Sequence, residues 1–131
     1  MPTKFELIIS NPPWINARPL TDDDFEAGNF DHELETIKAI FKFCKTRLQS
    51  KGVETKDGTL LLIYSDLSAN LGLSPKTLIE DLCKENGLKI KDKRSVGFRG
   101  SVKKEEKGAL SDPLAVYKNV SHLIIYEITR L

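Results

Sequence analysis

The chain has 131 residues, of which 40% are hydrophobic and 30% charged, and its formal net charge is +1. This length suits one domain, and the composition is that of a soluble globular protein. A net charge so close to zero excludes a bulk attraction to nucleic acid, to membrane surfaces or to acidic partners. The amino terminus lacks a signal-peptide pattern and no stretch approaches the ~20 apolar residues of a membrane helix, so we expect a cytoplasmic protein.

The first half of the chain predicts a strand, a loop and a helix. A short apolar run over residues 4–10, stopped by Pro12 and Pro13, predicts a buried strand. Residues 15–30 mix proline, glycine, asparagine and three consecutive aspartates, which indicates a loop. Asp31 then begins a predicted helix that runs to about Ser50, because apolar residues recur at spacings of three and four and acidic residues precede basic ones.

The second half predicts a strand over residues 59–64 that is apolar on both faces, which is typical of a central strand covered by helices above and below. A loop over residues 66–73 should follow, and then a helix capped by Ser74, with Pro75 at its first position. Residues 88–96 and 120–129 indicate two further strands, joined by a long charged connection over 97–119.

This order of elements predicts an α/β fold with about four strands and two main helices. Strands that alternate with helices are typical of parallel pairs joined by helical crossovers. The last strand follows its neighbour without a helix, so we expect it to be antiparallel. Cys44 and Cys83 fall among apolar residues of the two predicted helices and have no metal-type partners at close spacing, which predicts buried thiols.

The motif NPPW, at Asn11 to Trp14, follows the first predicted strand directly. Ligands of open α/β sheets bind at the carboxyl ends of strands. Asn11 and Pro12 each precede a proline, which holds both in extended backbone, and neither proline has an N–H group. The Asn11 side-chain oxygen and the Pro12 carbonyl oxygen are therefore two acceptors that suit a planar NH2 group. Trp14 adds a flat face on which an amide or a base could stack.

With its preceding strand, this motif resembles motif IV of class I methyltransferases, the (N/D)PP(Y/F/W) signature of enzymes that methylate planar nitrogens. It is similar to the release-factor glutamine N5-methyltransferases, the small-domain rRNA guanine N2-methyltransferases and the adenine N6-methyltransferases. The resemblance implies that residues 1–131 form the C-terminal, catalytic half of a Rossmann-like methyltransferase domain. The four predicted strands would be strands 4 to 7 of its sheet, with the last two as an antiparallel pair.

The resemblance also implies roles for individual residues and for S-adenosylmethionine as cofactor. Two hydrogen bonds donated by the substrate NH2 group to the Asn11 and Pro12 oxygens would localise the nitrogen lone pair and aim it at the sulfonium methyl group. The substrate would be a protein glutamine or an RNA or DNA base. Arg18, followed by proline, and the later Ser-Asp-Leu segment extend the match. The implied residues are Asn11 and Pro12 for catalysis, Asn11 for cofactor contact, and Pro13, Trp14, Arg18 and Asp66 for substrate binding.

The cofactor-binding half of such enzymes precedes motif IV, and the printed chain departs from the family there. No glycine-rich turn of the G-x-G-x-x-G type follows a predicted strand. We therefore expect the missing half in cis in a longer protein or on a separate chain, and poor binding of S-adenosylmethionine by this chain alone. The sheet edge left open by its absence predicts a possible homodimer.

Two other interpretations remain open at this point. The chain could be a non-catalytic partner subunit that keeps half of the fold for assembly. It could also be an unrelated α/β binding module, in which NPPW is a turn and Trp14 anchors the core. The lysine-rich stretch after residue 88 could contact RNA phosphates, although a solvated face explains it equally well, because acidic residues dilute its charge.

Overall fold

The structure is a computed structural model that describes residues 3–16, 31–97 and 121–131. It is an α/β fold built on one four-stranded mixed sheet. The strands are β1 (Leu7–Ser10), β2 (Thr59–Ser65), β3 (Leu88–Gly97) and β4 (His122–Arg130), and the helices are α1 (Glu35–Arg47), α2 (Leu67–Asn70) and α3 (Leu78–Glu85), with a 3-10 turn at His32–Leu34. Within these residues, no helix is long and apolar enough to cross a membrane.

The strands lie in the order β1-β2-β4-β3. β1 pairs with β2 in parallel, and β4 pairs antiparallel with both β2 and β3. The prediction of an antiparallel last strand is therefore confirmed, as is the α/β class. β4 lies between its two neighbours, so β3 runs in the same direction as β1 and β2, and the carboxyl ends of these three strands share one rim of the sheet.

One face of the sheet is covered by α1 and α3, which pack into a single core. Both crossovers, from β1 to β2 and from β2 to β3, step across the sheet in the same direction. Right-handed crossovers of that kind place both helices on the same face. The main core residues are Ile37, Phe41, Cys44, Leu48, Leu60, Leu62, Leu82 and Ile128.

The prediction that helices cover both faces of the central strand was wrong for the described residues. Alternate β2 residues Leu60, Leu62 and Tyr64 are buried under the helices, whereas Leu61 and Ile63 on the other face are half-buried. An apolar run can show that a strand is central, but the handedness of the crossovers decides where the helices go.

The prediction that the first strand is buried was also wrong. β1 is an edge strand and is shorter than predicted, since it begins at Leu7. Leu7 is 51% exposed and Ile9 is 64% exposed, because both point to the face that α1 and α3 leave open. Ile8, on the other face, packs against the core.

The start of α1 is built around Asp31, although regular helix begins only at Glu35. The Asp31 carboxylate accepts hydrogen bonds from the backbone N–H groups of Thr36, at 2.8 Å, and Ile37, at 3.0 Å. These bonds satisfy donors of the first turn, and the negative charge lies at the positive end of the helix dipole. Asp31 thus stabilises the start of α1, but the helix is shorter at both ends than the predicted span from Asp31 to about Ser50.

Two boundaries around the second crossover differ from prediction. The predicted loop over residues 66–73 contains the short helix α2, Leu67–Asn70. The next helix, α3, begins at Leu78 rather than after the predicted cap Ser74, with Thr77 at its N-cap. The Thr77 hydroxyl is bonded to the Asp81 carboxylate at 2.9 Å, so local hydrogen bonds favour the later start.

The carboxyl end of α1 is joined to the last strand by Arg130. Its Nε donates to the Leu48 carbonyl oxygen at 2.8 Å, and its Nη2 donates to the Lys45 carbonyl oxygen at 3.0 Å. A guanidinium at this position satisfies carbonyl groups that the helix itself leaves free. Its positive charge also interacts favourably with the negative end of the α1 dipole. The contact holds β4 to α1 across the core.

Candidate functional site

The NPPW motif lies on the rim formed by the carboxyl ends of β1 and β2, directly after Ser10. The loop that follows is bound to the neighbouring strand and helix. The Trp14 indole Nε1 donates to the Ile63 carbonyl oxygen at 3.4 Å. The Asn16 backbone N–H donates to the Ser68 hydroxyl at 3.1 Å, and its side-chain Nδ2 donates to the Leu73 carbonyl oxygen at 2.8 Å. The turn is therefore held firmly against the end of β2.

Asn11 is the exposed member of the motif. Among the described residues, neither the Asn11 side-chain amide nor the Pro12 carbonyl oxygen has a hydrogen-bond partner, whereas Asn16 a few residues later uses both its backbone and its side chain. Pro12 itself is buried and Pro13 is half-buried. The stiff part of the turn is thus packed into the protein while the Asn11 amide remains accessible at the rim.

Trp14 is half-buried and packs against the core, in addition to its bond to the end of β2. It therefore anchors the turn, which is the role expected if NPPW were only structural. Part of its side chain is still exposed, so stacking on a substrate stays a prediction for this residue. One aromatic side chain can do both, since its two faces and its N–H group make separate contacts.

Asp66 directly follows β2 at the same rim, and its polar groups are hydrogen-bonded to other parts of the protein. Its Oδ1 accepts from the His122 backbone N–H at 2.7 Å and from Asn70 Nδ2 at 3.3 Å. Its Oδ2 lies 3.5 Å from His122 Nδ1, and its own N–H donates to the His122 carbonyl oxygen at 3.2 Å. These bonds tie β2, α2 and the start of β4 together. Substrate binding by Asp66 stays a prediction, and the geometry adds a structural role.

The remaining predicted substrate-binding residue, Arg18, lies outside the described residues, as does the loop over 17–30 that contains it. Most of the charged connection that was predicted over residues 97–119 also lies outside them. The rim can therefore be described from Asn11 to Asn16, from Ser65 onward in the second crossover, and from Ser121 at the start of β4.

Tyr64 is a residue near the rim that sequence reasoning did not single out. It is 4% exposed, and its hydroxyl is the one buried side-chain polar atom without a hydrogen-bond partner in the described part of the chain. Burial raises the pKa of this hydroxyl, and the nearby Asp31 carboxylate and Tyr126 raise it further. Tyr64 lies two residues after Leu62 and four after Leu60, and this spacing of two in a strand indicates that all three side chains face the core. The neutral hydroxyl is a buried donor close to the carboxylate that starts α1.

Metal-ligating side chains do not cluster in the described residues. Within ranges 3–16, 31–97 and 121–131, no group of three or more histidine, cysteine, aspartate or glutamate side chains could hold a metal ion. Cys44 and Cys83 are buried as predicted, and burial raises the pKa of each thiol to about 11. Such thiols are protonated at neutral pH and are poor ligands and nucleophiles.

A cavity of about 910 Å³ lies between α1 and α3, away from the rim. Its walls carry Lys38, Lys42 and Lys45, with Glu35 and Glu85, over an apolar floor that includes Leu82. Mixed charge along the outer surfaces of two helices is typical of a solvated groove. None of the NPPW residues lines it, so it does not belong to the candidate site.

Comparison with known proteins supplies no function for the rim. No protein-family model, curated protein or solved structure matches this chain. Three features of the rim bear on its function. The motif Asn-Pro-Pro-Trp follows β1, which pairs in parallel with β2, and the Asn11 amide is exposed on a turn that its prolines stiffen.

Proposed function

We propose that this chain is the catalytic half of an S-adenosylmethionine-dependent N-methyltransferase that acts on a planar amine, either a glutamine amide or a nucleobase amino group. The observation that carries the proposal is the Asn11 amide, which is exposed and unpartnered among the described residues at the carboxyl rim of β1. A ligand that binds there replaces water rather than an internal hydrogen bond.

The chemistry depends on what the Asn11 and Pro12 oxygens do to a bound NH2 group. An amide or exocyclic nitrogen is a weak nucleophile because its lone pair is delocalised. Hydrogen bonds from both of its protons to two fixed oxygens favour a nitrogen with a localised lone pair and hold it in one orientation. Because Pro12 is buried and Trp14 is bonded to β2, the turn would keep its geometry when substrate binds.

The cofactor would supply an electrophilic sulfonium methyl group. We give only Asn11 a contact with it, since no glycine-rich turn of the G-x-G-x-x-G type follows a strand in residues 3–16, 31–97 and 121–131. We therefore assign this chain the amine-holding part of the site and no part of the nucleoside-holding one. A polypeptide that supplies the cofactor half would have to complete the domain.

The amine-holding role can be tested on this chain alone by NMR titration of the side-chain amides. The probes are N-acetylglutamine amide, for a protein substrate, and adenosine and guanosine, for a nucleic-acid substrate. We expect one class of probe to shift the Asn11 side-chain NH2 resonance saturably and to leave Gln49 unchanged, since Gln49 lies at the opposite end of β1 and is bonded to Lys56. No Asn11 shift with any probe would remove the proposal.

In a chain that includes the cofactor half, Asn11→Ala should lower kcat at least ~100-fold, because one preorganised contact to the reacting group is typically worth about 3 kcal/mol. The matched control is Gln49→Ala, which removes an exposed amide at the opposite end of the strand. A loss smaller than about tenfold for Asn11→Ala, with the fold intact, would contradict the assigned role.

One observation favours a second candidate, an α/β binding module in which NPPW is a structural turn. Trp14 packs against the core and bonds to the end of β2, as an anchor would. This candidate predicts that Trp14→Phe changes stability and that Asn11→Ala changes no binding or activity. The enzyme proposal predicts a large loss for Asn11→Ala, so that variant separates the candidates, whereas Trp14→Phe should change stability in both cases.

A further inference from the structure

The two edges of the sheet differ in their chemistry. The β3 edge has a register shift between Ile90 and Asp92 and carries a row of charged side chains: Lys89, Lys91, Asp92, Lys93 and Arg94. Charges and bulges at an edge strand prevent it from pairing with another chain. The other edge, β1, has the sequence LIIS and pairs with β2 in unbroken register. Its four residues contain no charge, no proline and no bulge, so only the shortness of the strand limits pairing at this edge.

The backbone of β1 presents hydrogen-bonding groups to its open side. The Glu6 carbonyl oxygen accepts from the Thr59 N–H at 2.9 Å, so Glu6 bonds toward β2. Successive residues of a strand bond in opposite directions, which turns the N–H and C=O groups of Leu7 and Ile9 toward the open edge. Within the described part of the chain, no strand pairs with Leu7 or Ile9 at that edge, and the bridge from Phe5 to Leu48 lies just before β1 begins.

The same two residues carry exposed apolar side chains. Leu7 is 51% exposed and Ile9 is 64% exposed, on the face of the sheet without helices. They continue into Leu61 and Ile63 of β2, which are half-buried, and Ile125 of β4, which is 39% exposed. An apolar patch that reaches an unprotected edge marks an interaction surface rather than scattered exposed residues.

We infer that this edge binds a second copy of the chain, with β1 of each copy pairing antiparallel around a two-fold axis at Ile8. A two-fold axis perpendicular to the sheet puts the open faces of both copies on the same side. Residues that lie opposite each other in the two β1 strands therefore point to the same face. Leu7 of one copy then lies opposite Ile9 of the other. The open N–H and C=O groups of Leu7 meet those of Ile9, and no like charges meet because the strand has none.

This register joins the two sheets into one and places the exposed Leu7 and Ile9 side chains of both copies in a single apolar cluster. The β3 edge cannot form an equivalent pair, since its lysines would face one another across the axis and like charges opposite each other are destabilising. The inference uses β1 alone and does not depend on a function for Asn11. A cofactor half that completed the sheet would pair along this same edge, so we infer the dimer for the chain without that half. The two proposals stay separable, because the titration reads Asn11 and the tests below read β1.

The register is tested by disulfide crosslinking with two exposed variants, Leu7→Cys and Ile9→Cys, mixed in equal amounts and oxidised. Directly opposite residues have Cα atoms about 5.5 Å apart, which suits a disulfide, whereas each residue is more than about 7 Å from its own copy. We expect a crosslinked dimer from the mixture and almost none from either variant alone. Cys44 and Cys83 add little background because both are buried. Equal crosslinking in all three samples, or none in the mixture, overturns the inference.

The surface is tested by sedimentation equilibrium of the unmodified chain and of Ile9→Lys. The unmodified chain should show a concentration-dependent monomer–dimer equilibrium, and Ile9→Lys should weaken it by at least about tenfold, because a charge would enter the apolar cluster. The matched control is Val96→Lys, which places the same charge on the same face but on β3, where Val96 is 50% exposed. A chain that stays monomeric at millimolar concentration, or equal effects of the two variants, overturns the inference.

Discussion

On the face of the sheet that α1 and α3 cover, Leu60, Leu62 and Ile128 are fully buried, whereas Ile9 and Ile125 on the opposite face are 64% and 39% exposed. Leucine and isoleucine occur on both faces: Leu61, Ile63 and Ile125 lie on the open one, although Glu127 accompanies them there. The difference comes from the two crossovers, which step in one direction and bring both helices to one side. Residue type alone therefore does not report which face of this sheet forms the core.

Among variants that test this comparison, Phe41→Ala on the covered face should have the largest effect on stability. Phe41 is fully buried in α1, and removal of a buried phenylalanine ring leaves a cavity that typically costs about 3–5 kcal/mol. Urea denaturation should show that loss as a lower midpoint with little change in slope, provided that the variant still folds. A cost below about 1 kcal/mol would mean that the helices pack loosely on the sheet.

Each unit of alkaline pH should weaken the covered face, through its two thiols, by less than the Phe41 substitution does. Burial raises the pKa of Cys44 and Cys83 to about 11 from an ordinary 9.0, with Arg130 opposing the shift at Cys44 and Glu80 adding to it at Cys83. Between pH 9 and 11 the unfolded chain has lost these protons and the native chain keeps them, so stability falls as the pH rises, by up to about 1.4 kcal/mol per pH unit for each thiol.

The measurement is the free energy of unfolding at several pH values from 8 to 11 under reducing conditions, compared with Cys44→Ala. That variant is less stable at every pH because it loses buried volume, but it should lose less stability per pH unit than the unmodified chain. Parallel curves for the two proteins would show that Cys44 is not protected by the core.

The smallest expected effect is that of Ile125→Thr on the open face. Ile125 keeps 39% of its surface exposed, and threonine has a similar shape and strand propensity, so the free energy of unfolding should change by no more than about 0.5 kcal/mol. The measurement should be made at low protein concentration, where a dimer would not contribute. A cost above about 1.5 kcal/mol would show that this face is covered and would break the comparison.

Much of the fold could be read from patterns along the chain. The apolar run of β2 and the three- and four-residue spacing of α1 reflect burial on one side of an element, which is a local property. The antiparallel direction of β4 followed from the absence of a helix before it. Helix α2 was missed because it is only four residues long, Leu67–Asn70, and depends on contacts such as the Asn70 bond to Asp66.

The candidate site was only partly readable. Proline restrictions at Pro12 and Pro13 act within the backbone, so a stiff turn after β1 could be predicted without a structure. The partners of Asp66 could not, since His122 is distant in sequence and meets it only because β4 lies beside β2. The contact of Trp14 with Ile63 depends on the same sheet.

Sequence by itself determined the elements, the stiff NPPW turn and the uncharged composition of β1, because each depends on a few neighbouring residues. Tertiary structure alone decided that β4 lies between β2 and β3, that one face is open, that β1 forms an edge and that the Asn11 amide is unpartnered at the rim while the Asp66 carboxylate is bonded to the start of β4. The physical reason is that pairing and crossover handedness join residues far apart in the chain, and no local pattern records those contacts.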